Sequence, residues 1–212
     1  MAYEFNGTNQ YLSTASAPIT AVPLTIACWF YPDTITTRYT LAAINALNIV
    51  SNGFFNISAR GDLSGDPIRI AVDASGTAAV NSTTGYTANS WNHACGVFES
   101  NSSRTVYCNG GGSATSTASY TPSNIVLMRI GYFDTAGPAY MDGRIAEVGV
   151  WNAALTAAEI ASLADGFTCD KVRPQNLVFY APLVRDLQDV RGGLTITNNN
   201  SATVATHPRV YA

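Results

Sequence analysis

Apolar and polar residues alternate in short runs along the chain, and clusters of Gly, Ser, Asn and Pro separate the runs. That rhythm predicts an antiparallel all-β domain. Residues 24–31 read as one strand, stopped by Pro32-Asp33. Residues 68–72 read as another, closed by a turn over residues 73–76. Residues 91–98 and 105–108 form a hairpin about the polar turn Asn101-Ser102-Ser103, and Asn109-Gly110-Gly111-Gly112 ends its second arm. Residues 126–132 and 143–151 supply two more strands. One segment has a different period. Thr156-Ala157-Ala158-Glu159 is a capping box, Ile160, Leu163, Ala164 and Phe167 follow at helical spacing, and Gly166 can end the helix. Residues 192–206 return to β-type residues, broken by Asn198-Asn199-Asn200.

At 212 residues the chain is long enough for one core of good size. Charged residues make up 12%, about half the usual share, so Ser, Thr, Asn, Gly and Ala must cover much of the surface. An uncharged β surface and a surface partly buried in an assembly both fit. Net charge is −3 and the eleven basic residues never cluster along the sequence, which excludes a phosphate-neutralising nucleic-acid partner. No basic segment followed by an apolar one opens the chain, so no signal peptide is expected. No apolar run approaches the ~18 residues of a membrane helix, so no membrane partner is expected. Cys28, Cys95, Cys108 and Cys169 lack metal-ligand spacing; reduced buried thiols are expected, with a Cys95–Cys108 disulfide across the hairpin as the alternative.

Four stretches resemble the laminin-G-like jelly-roll family of the concanavalin A-like lectin and glucanase superfamily. Residues 5–12, FNGTNQYL, are similar to its F-D-G-x-D-D-Y-V opening. Residues 24–31 resemble its F-T-I-S-A-W-V strand. Residues 91–98 with 106–110 resemble its W-H-H-V-A-V…L-Y-V-N-G hairpin, and residues 141–160 its long F-x-G-x-I-D-E-V-x-I-Y-N-R-A-L-S-x-x-E-I segment. The resemblance implies a two-sheet antiparallel jelly-roll sandwich with one short helix, a single domain over 1–212. The family's usual first segment, with L-V-x-Y-x-P-L and G-x-x-L-T-x-x-N-x-A-T, is matched instead by residues 177–183, 189–195 and 199–203. The order resembles a circular permutation, with residues 177–212 completing the sandwich or swapping to a neighbour. This permuted form, ending in His207-Pro208-Arg209-Val210-Tyr211, also resembles small tailed-phage virion proteins. That implies a virion location after synthesis in a host cytoplasm.

Glucanases of this fold carry paired glutamates, because hydrolysis needs two carboxylates about 5–9 Å apart. Here Glu4, Glu99, Glu147 and Glu159 are the only glutamates and no two are two or four residues apart. His93 and His207 are the only histidines; His93 reads as a structural imidazole inside a strand, and no G-x-S-x-G elbow appears. No enzyme activity is expected. Calcium would need six to eight oxygens. Asn6, Asn9 and Gln10 stand where the family often has Asp, and Asp62 with Asp66, and Asp134 with Asp142, read as solvated turn acids. No cofactor is expected and calcium is not supported. The apparent glycosylation sequons at Asn6, Asn56, Asn81, Asn101 and Asn199 read as chance in a Ser/Thr/Asn-rich chain.

Of the aromatics in or near predicted loops (Tyr39, Phe54, Phe55, Tyr86, Tyr120, Tyr132, Phe133 and Tyr140), Tyr132 and Phe133, with Asp134, are the candidate carbohydrate contacts. In the tail, His207, Pro208, Arg209 and Tyr211 are the candidate interface residues, against the alternative that they seal the sandwich. The leading expectation is a non-enzymatic structural or interaction protein, a phage capsid decoration or accessory protein whose partners are other virion proteins or copies of itself. The alternative is a lectin-like adhesion module that binds glycans.

Overall fold

The structure, a computed structural model, describes residues 1–47, 53–73, 77–135 and 137–211, with the side chains of residues 134, 135, 137 and 138 outside the description. In chain order the elements are β1 (Ala2–Asn6), β2 (Tyr11–Thr14), β3 (Leu24–Pro32), β4 (Arg38–Asn45), β5 (Phe54–Arg60), β6 (Pro67–Asp73), β7 (Thr77–Gly85), β8 (Asn92–Ser100), β9 (Ser103–Cys108), β10 (Gly111–Ser116), β11 (Leu127–Ile130), β12 (Tyr132–Thr135), β13 (Gly137–Tyr140), β14 (Asp142–Trp151), α1 (Ala157–Ala164), β15 (Leu177–Ala181), β16 (Ile196–Asn199) and β17 (Thr203–Ala205). Part of the turn expected over residues 73–76 lies outside the described residues.

Two antiparallel sheets form the sandwich. The first runs β10-β9-β8-β3-β14-β1-β17, with β15 also on β14; the second runs β16-β2-β11-β4-β5-β6-β7. Period-2 alternation sends one side chain in two into the space between them. From the first sheet come Ile26, Cys28, Phe30 and Phe98; from the second, Leu41, Ile44, Phe55 and Ile57. Phe55 and Phe98 meet edge to face across the core at 5.2 Å, a favoured aromatic geometry.

The outer face of the first sheet carries a smaller core of Ala27, Cys95, Val97 and Trp151 under α1, whose Ile160 and Leu163 are buried there. The capping box at the start of α1 is formed in both directions between Thr156 and Glu159. The helix ends at Ala164, before Gly166 at φ +104°, so Phe167 lies beyond it and is 48% exposed.

Alternation also decides the thiol question. Across β8–β9, Ala94 faces Cys108 and Cys95 faces Tyr107. Cys95 therefore points under α1 while Cys108 points into the main core. A disulfide between them is geometrically closed, and all four cysteines are free and buried.

The tail lies against the strands at the start of the chain. β17 pairs with β1, β16 with β2 and β15 with β14. β14 pairs with β1 through residues 142–145 and with β15 through residues 148–151. A bulge separates the two stretches, with Glu147 at φ +53°.

Candidate functional site

The site begins with a fold-over. After β11 the chain turns at Gly131, whose φ is +81° and whose missing Cβ leaves room for the Phe5 ring at 3.1 Å. It then forms the β12–β13 hairpin. Phe133 and Ala139 are direct partners in that hairpin and both are buried. Phe133 seats on the outer face of the second sheet, edge to face with Phe54 at 4.8 Å and clustered with Ala43 and Ala71. It anchors the hairpin, and at 2% exposure it presents no face to a ligand, contrary to the expectation drawn from the sequence.

Alternation gives Tyr132 and Tyr140, also direct partners, to the opposite side. Their rings stack at 4.3 Å and 13°. Tyr11 of β2 joins them at 4.9 Å from Tyr132 and 6.4 Å from Tyr140. Three half-buried tyrosines thus form one ledge, which the guanidinium of Arg129 overlies at 5.6 Å from the Tyr132 ring.

Beside the ledge lies a polar cleft of about 410 Å³. Asn6, Gly7 and Thr8 of the β1–β2 turn form one wall and Thr34, Thr36 and Thr37 of the β3–β4 loop another; Arg38, Tyr39, Tyr140 and Asp142 complete it. Local chemistry fixes these walls. The Asn6 side-chain oxygen accepts the backbone N–H groups of Thr8, Asn9 and Gln10, which closes the turn. Gly7, at φ +68°, passes so close to Asp142 that a Cβ would lie 2.9 Å from its side chain. Gln10 donates to the carbonyls of Asn200 and Ser201, and Asn200 donates back to that of Asn9. The tail therefore braces the turn that walls the cleft.

Burial, and then the carboxylates of Asp33 and Glu4, raise the Asp142 pKa above the usual carboxylate value. Burial also raises that of Tyr39, against the opposing effect of its hydrogen bond with Thr34. Among the described residues, the cleft lining holds one carboxylate and no histidine or cysteine. It is equipped to stack a ring and exchange hydrogen bonds with hydroxyls, and among the described residues it has one of the two lining carboxylates that glycoside hydrolysis uses.

The other candidates are placed elsewhere. The Asp134 side chain lies outside the described residues. His207 is turned inward, its Nε2 3.1 Å from the Glu147 carboxylate, and Pro208 is buried. Tyr180 donates its hydroxyl to the other Glu147 oxygen. Arg209 and Tyr211 are exposed, and Tyr211 lies 6.4 Å from Phe167. His93 is buried against the edge of Trp29, its pKa pushed down to about 3 by burial. Asp62 is held bidentately by Arg60. The sequence reading missed Tyr11 and Arg129, because nothing along the chain shows that β2 and β11 bring them to the hairpin.

A family model for the concanavalin A-like lectin/glucanases superfamily matches residues 6–161. A search of curated proteins finds no match. Among solved structures, a heptameric SAP-like pentraxin from Limulus polyphemus is similar at 16% identity and TM-score 0.66, over 97% of this chain and 94% of that one. A Bacteroides ovatus protein assigned as carbohydrate binding is similar at 17% identity and TM-score 0.67; the whole of this chain aligns with 61% of that protein's length. The CBM40 of a Ruminococcus gnavus sialidase, bound to α2,3-sialyllactose, is similar at 12% identity and TM-score 0.59, over 77% and 98%. At these identities the likeness is one of fold. The first two alignments include nearly all or all of the tail.

Proposed function

The chain belongs to the concanavalin A-like lectin/glucanases superfamily, and from that premise we propose that it is a non-catalytic carbohydrate-binding module whose site is the tyrosine ledge with the cleft beside it. One observation carries the reading: the stacked Tyr132–Tyr140 pair, which Tyr11 joins, meets through Tyr140 a cleft lined by an amide, hydroxyls and one carboxylate. A pyranose offers an apolar C–H face and a rim of hydroxyls, and this arrangement answers both. The relatives described as binding sugars or carrying a bound one support the same reading.

An assembly role for the tail has two favourable features, the heptameric pentraxin among the similar folds and the exposed Phe167–Tyr211 aromatic pair; the virion-decoration role gains nothing from the relatives.

A glycan array probed with the wild-type chain and with Tyr140→Ala tests the sugar reading. Binding to a defined glycan set by the wild type, lost in a variant that still melts normally, is the expected result. A wild type that binds no glycan, or a Tyr140→Ala variant that binds as well, sinks it.

A further inference from the structure

Arg129 is unusual in this molecule. The chain has eleven basic residues among 212, and ion pairs commit Arg60, Arg144, Lys171 and Arg173 to carboxylates. Arg129 is half-buried on the outer face of the second sheet. Among the described residues its guanidinium has neither a carboxylate nor a hydrogen-bond acceptor; its one interaction is with the Tyr132 ring. Its strand neighbours in register, Ser13 on β2 and Ala43 on β4, are neutral. Beyond Ser13 comes Thr197 of β16, also neutral.

A guanidinium presents a planar fork of N–H donors suited to a carboxylate or sulfate. Among the described residues it has no competing internal anion. Its position relative to the ledge also matters. The guanidinium lies 5.6 Å from the Tyr132 ring centre, which lies 4.3 Å from that of Tyr140, a residue of the cleft wall. A saccharide stacked on the ledge from the cleft side would place substituents of its next ring within reach of Arg129.

We propose that the site selects anionic saccharides, with Arg129 receiving a carboxylate or sulfate on a sugar whose neighbouring ring stacks on the tyrosine ledge. This rests on the carbohydrate reading above and narrows it from sugars in general to acidic ones. The acidic group can come from a uronic acid or from a sulfate ester, and the two sources differ in shape and charge.

The test is isothermal titration of the full chain with matched pairs of oligosaccharides. Galacturonate oligomers are compared with their methyl esters, and a sulfated galactan fragment with its desulfated form. Each pair is measured at low and at physiological salt, in wild type, Arg129→Gln and Arg129→Lys. At least one acidic member is expected to bind about tenfold or more tightly than its neutral twin. The preference should shrink as salt rises, disappear in Arg129→Gln and survive in part in Arg129→Lys. The pair that shows the preference identifies the source of the anion. Equal binding of acidic and neutral twins by the wild type overturns the inference and leaves the carbohydrate reading standing. So does a preference that Arg129→Gln retains. No binding by any oligosaccharide overturns both. The wild-type comparison of twins needs no variant, so the inference can fail even if Arg129→Gln does not fold.

Discussion

Replacing Phe133 by Ala separates the anchor of the hairpin from its ledge. The ring is 2% exposed and is held in a cluster of four residues on the outside of the second sheet, remote from the main core. Phe→Ala in a well-packed interior costs about 3–5 kcal/mol. The small size of this cluster and its place near the surface favour the lower end, about 3 kcal/mol. Part of that, about 0.5–1.5 kcal/mol, belongs to the edge-to-face pair with Phe54 and should appear as coupling in a double-mutant cycle with Phe54→Ala. For a domain of this size the melting temperature should fall by about 6–12 °C. Because Phe133 seats the strand that carries Tyr132, the same variant should lose glycan binding without any change to a ledge side chain. Tyr140→Ala should lose binding with little loss of stability. Urea titrations and melting curves on the single and double variants measure the first part, and glycan titration the second. A Phe133→Ala variant that loses less than about 1 kcal/mol, with no coupling to Phe54, would refute the seating. It would return Phe133 to the surface as a candidate ligand contact.

Other consequences follow from buried groups. His93 carries a pKa near 3 when folded against about 6.5 unfolded, so between those values the unfolded chain holds the extra proton. Stability should therefore fall as pH drops from about 6.5 towards 3, by about 1.4 kcal/mol per unit from this residue, and His93→Leu should flatten that limb of the urea-stability profile; an unchanged limb would contradict the assignment. All four thiols are free and buried, so a thiol reagent should find close to none in the native chain and four after denaturation, without reductant; fewer than four would reveal a disulfide. His207→Ala removes one partner of the buried Glu147 carboxylate and leaves the Tyr180 hydroxyl, which should cost about 2 kcal/mol in urea unfolding; no cost would mean that the tail is not clasped there.

The sequence reading recovered what local chemistry fixes. The capping box at Thr156–Glu159, the strand over residues 24–31 and the β8–β9 hairpin are written in neighbouring residues, and each is observed. β4, β5 and β7 were not singled out. β4 and β5 are buried on both faces under the hairpin and the main core, so their clean alternation is lost. β7 is short of large apolar residues. The site was half legible. Tyr132 was read as a contact because aromatics near loops are conspicuous, but its neighbour Phe133 faces the other way, and a hairpin's facing cannot be read until the sheet beneath it is known. Basic residues are scattered along the sequence, yet pairing sets Arg38 directly across from Arg60. It likewise brings Arg129 and Tyr11, 118 positions apart in the chain, to one ledge. The tail illustrates the same limit. His207 looked like a contact for another molecule because its partner Glu147 lies 60 residues away, at a bulge that no local pattern announces.

The central claim is that sugars bind at the tyrosine ledge and cleft. An NMR titration of the isotopically labelled chain with the best-binding oligosaccharide tests it most directly. The account predicts shift changes concentrated at Asn6, Thr8, Thr36, Tyr132, Tyr140 and Asp142. Changes concentrated instead on the outer face of the first sheet, at Trp29, Tyr31 and Trp91, would contradict it.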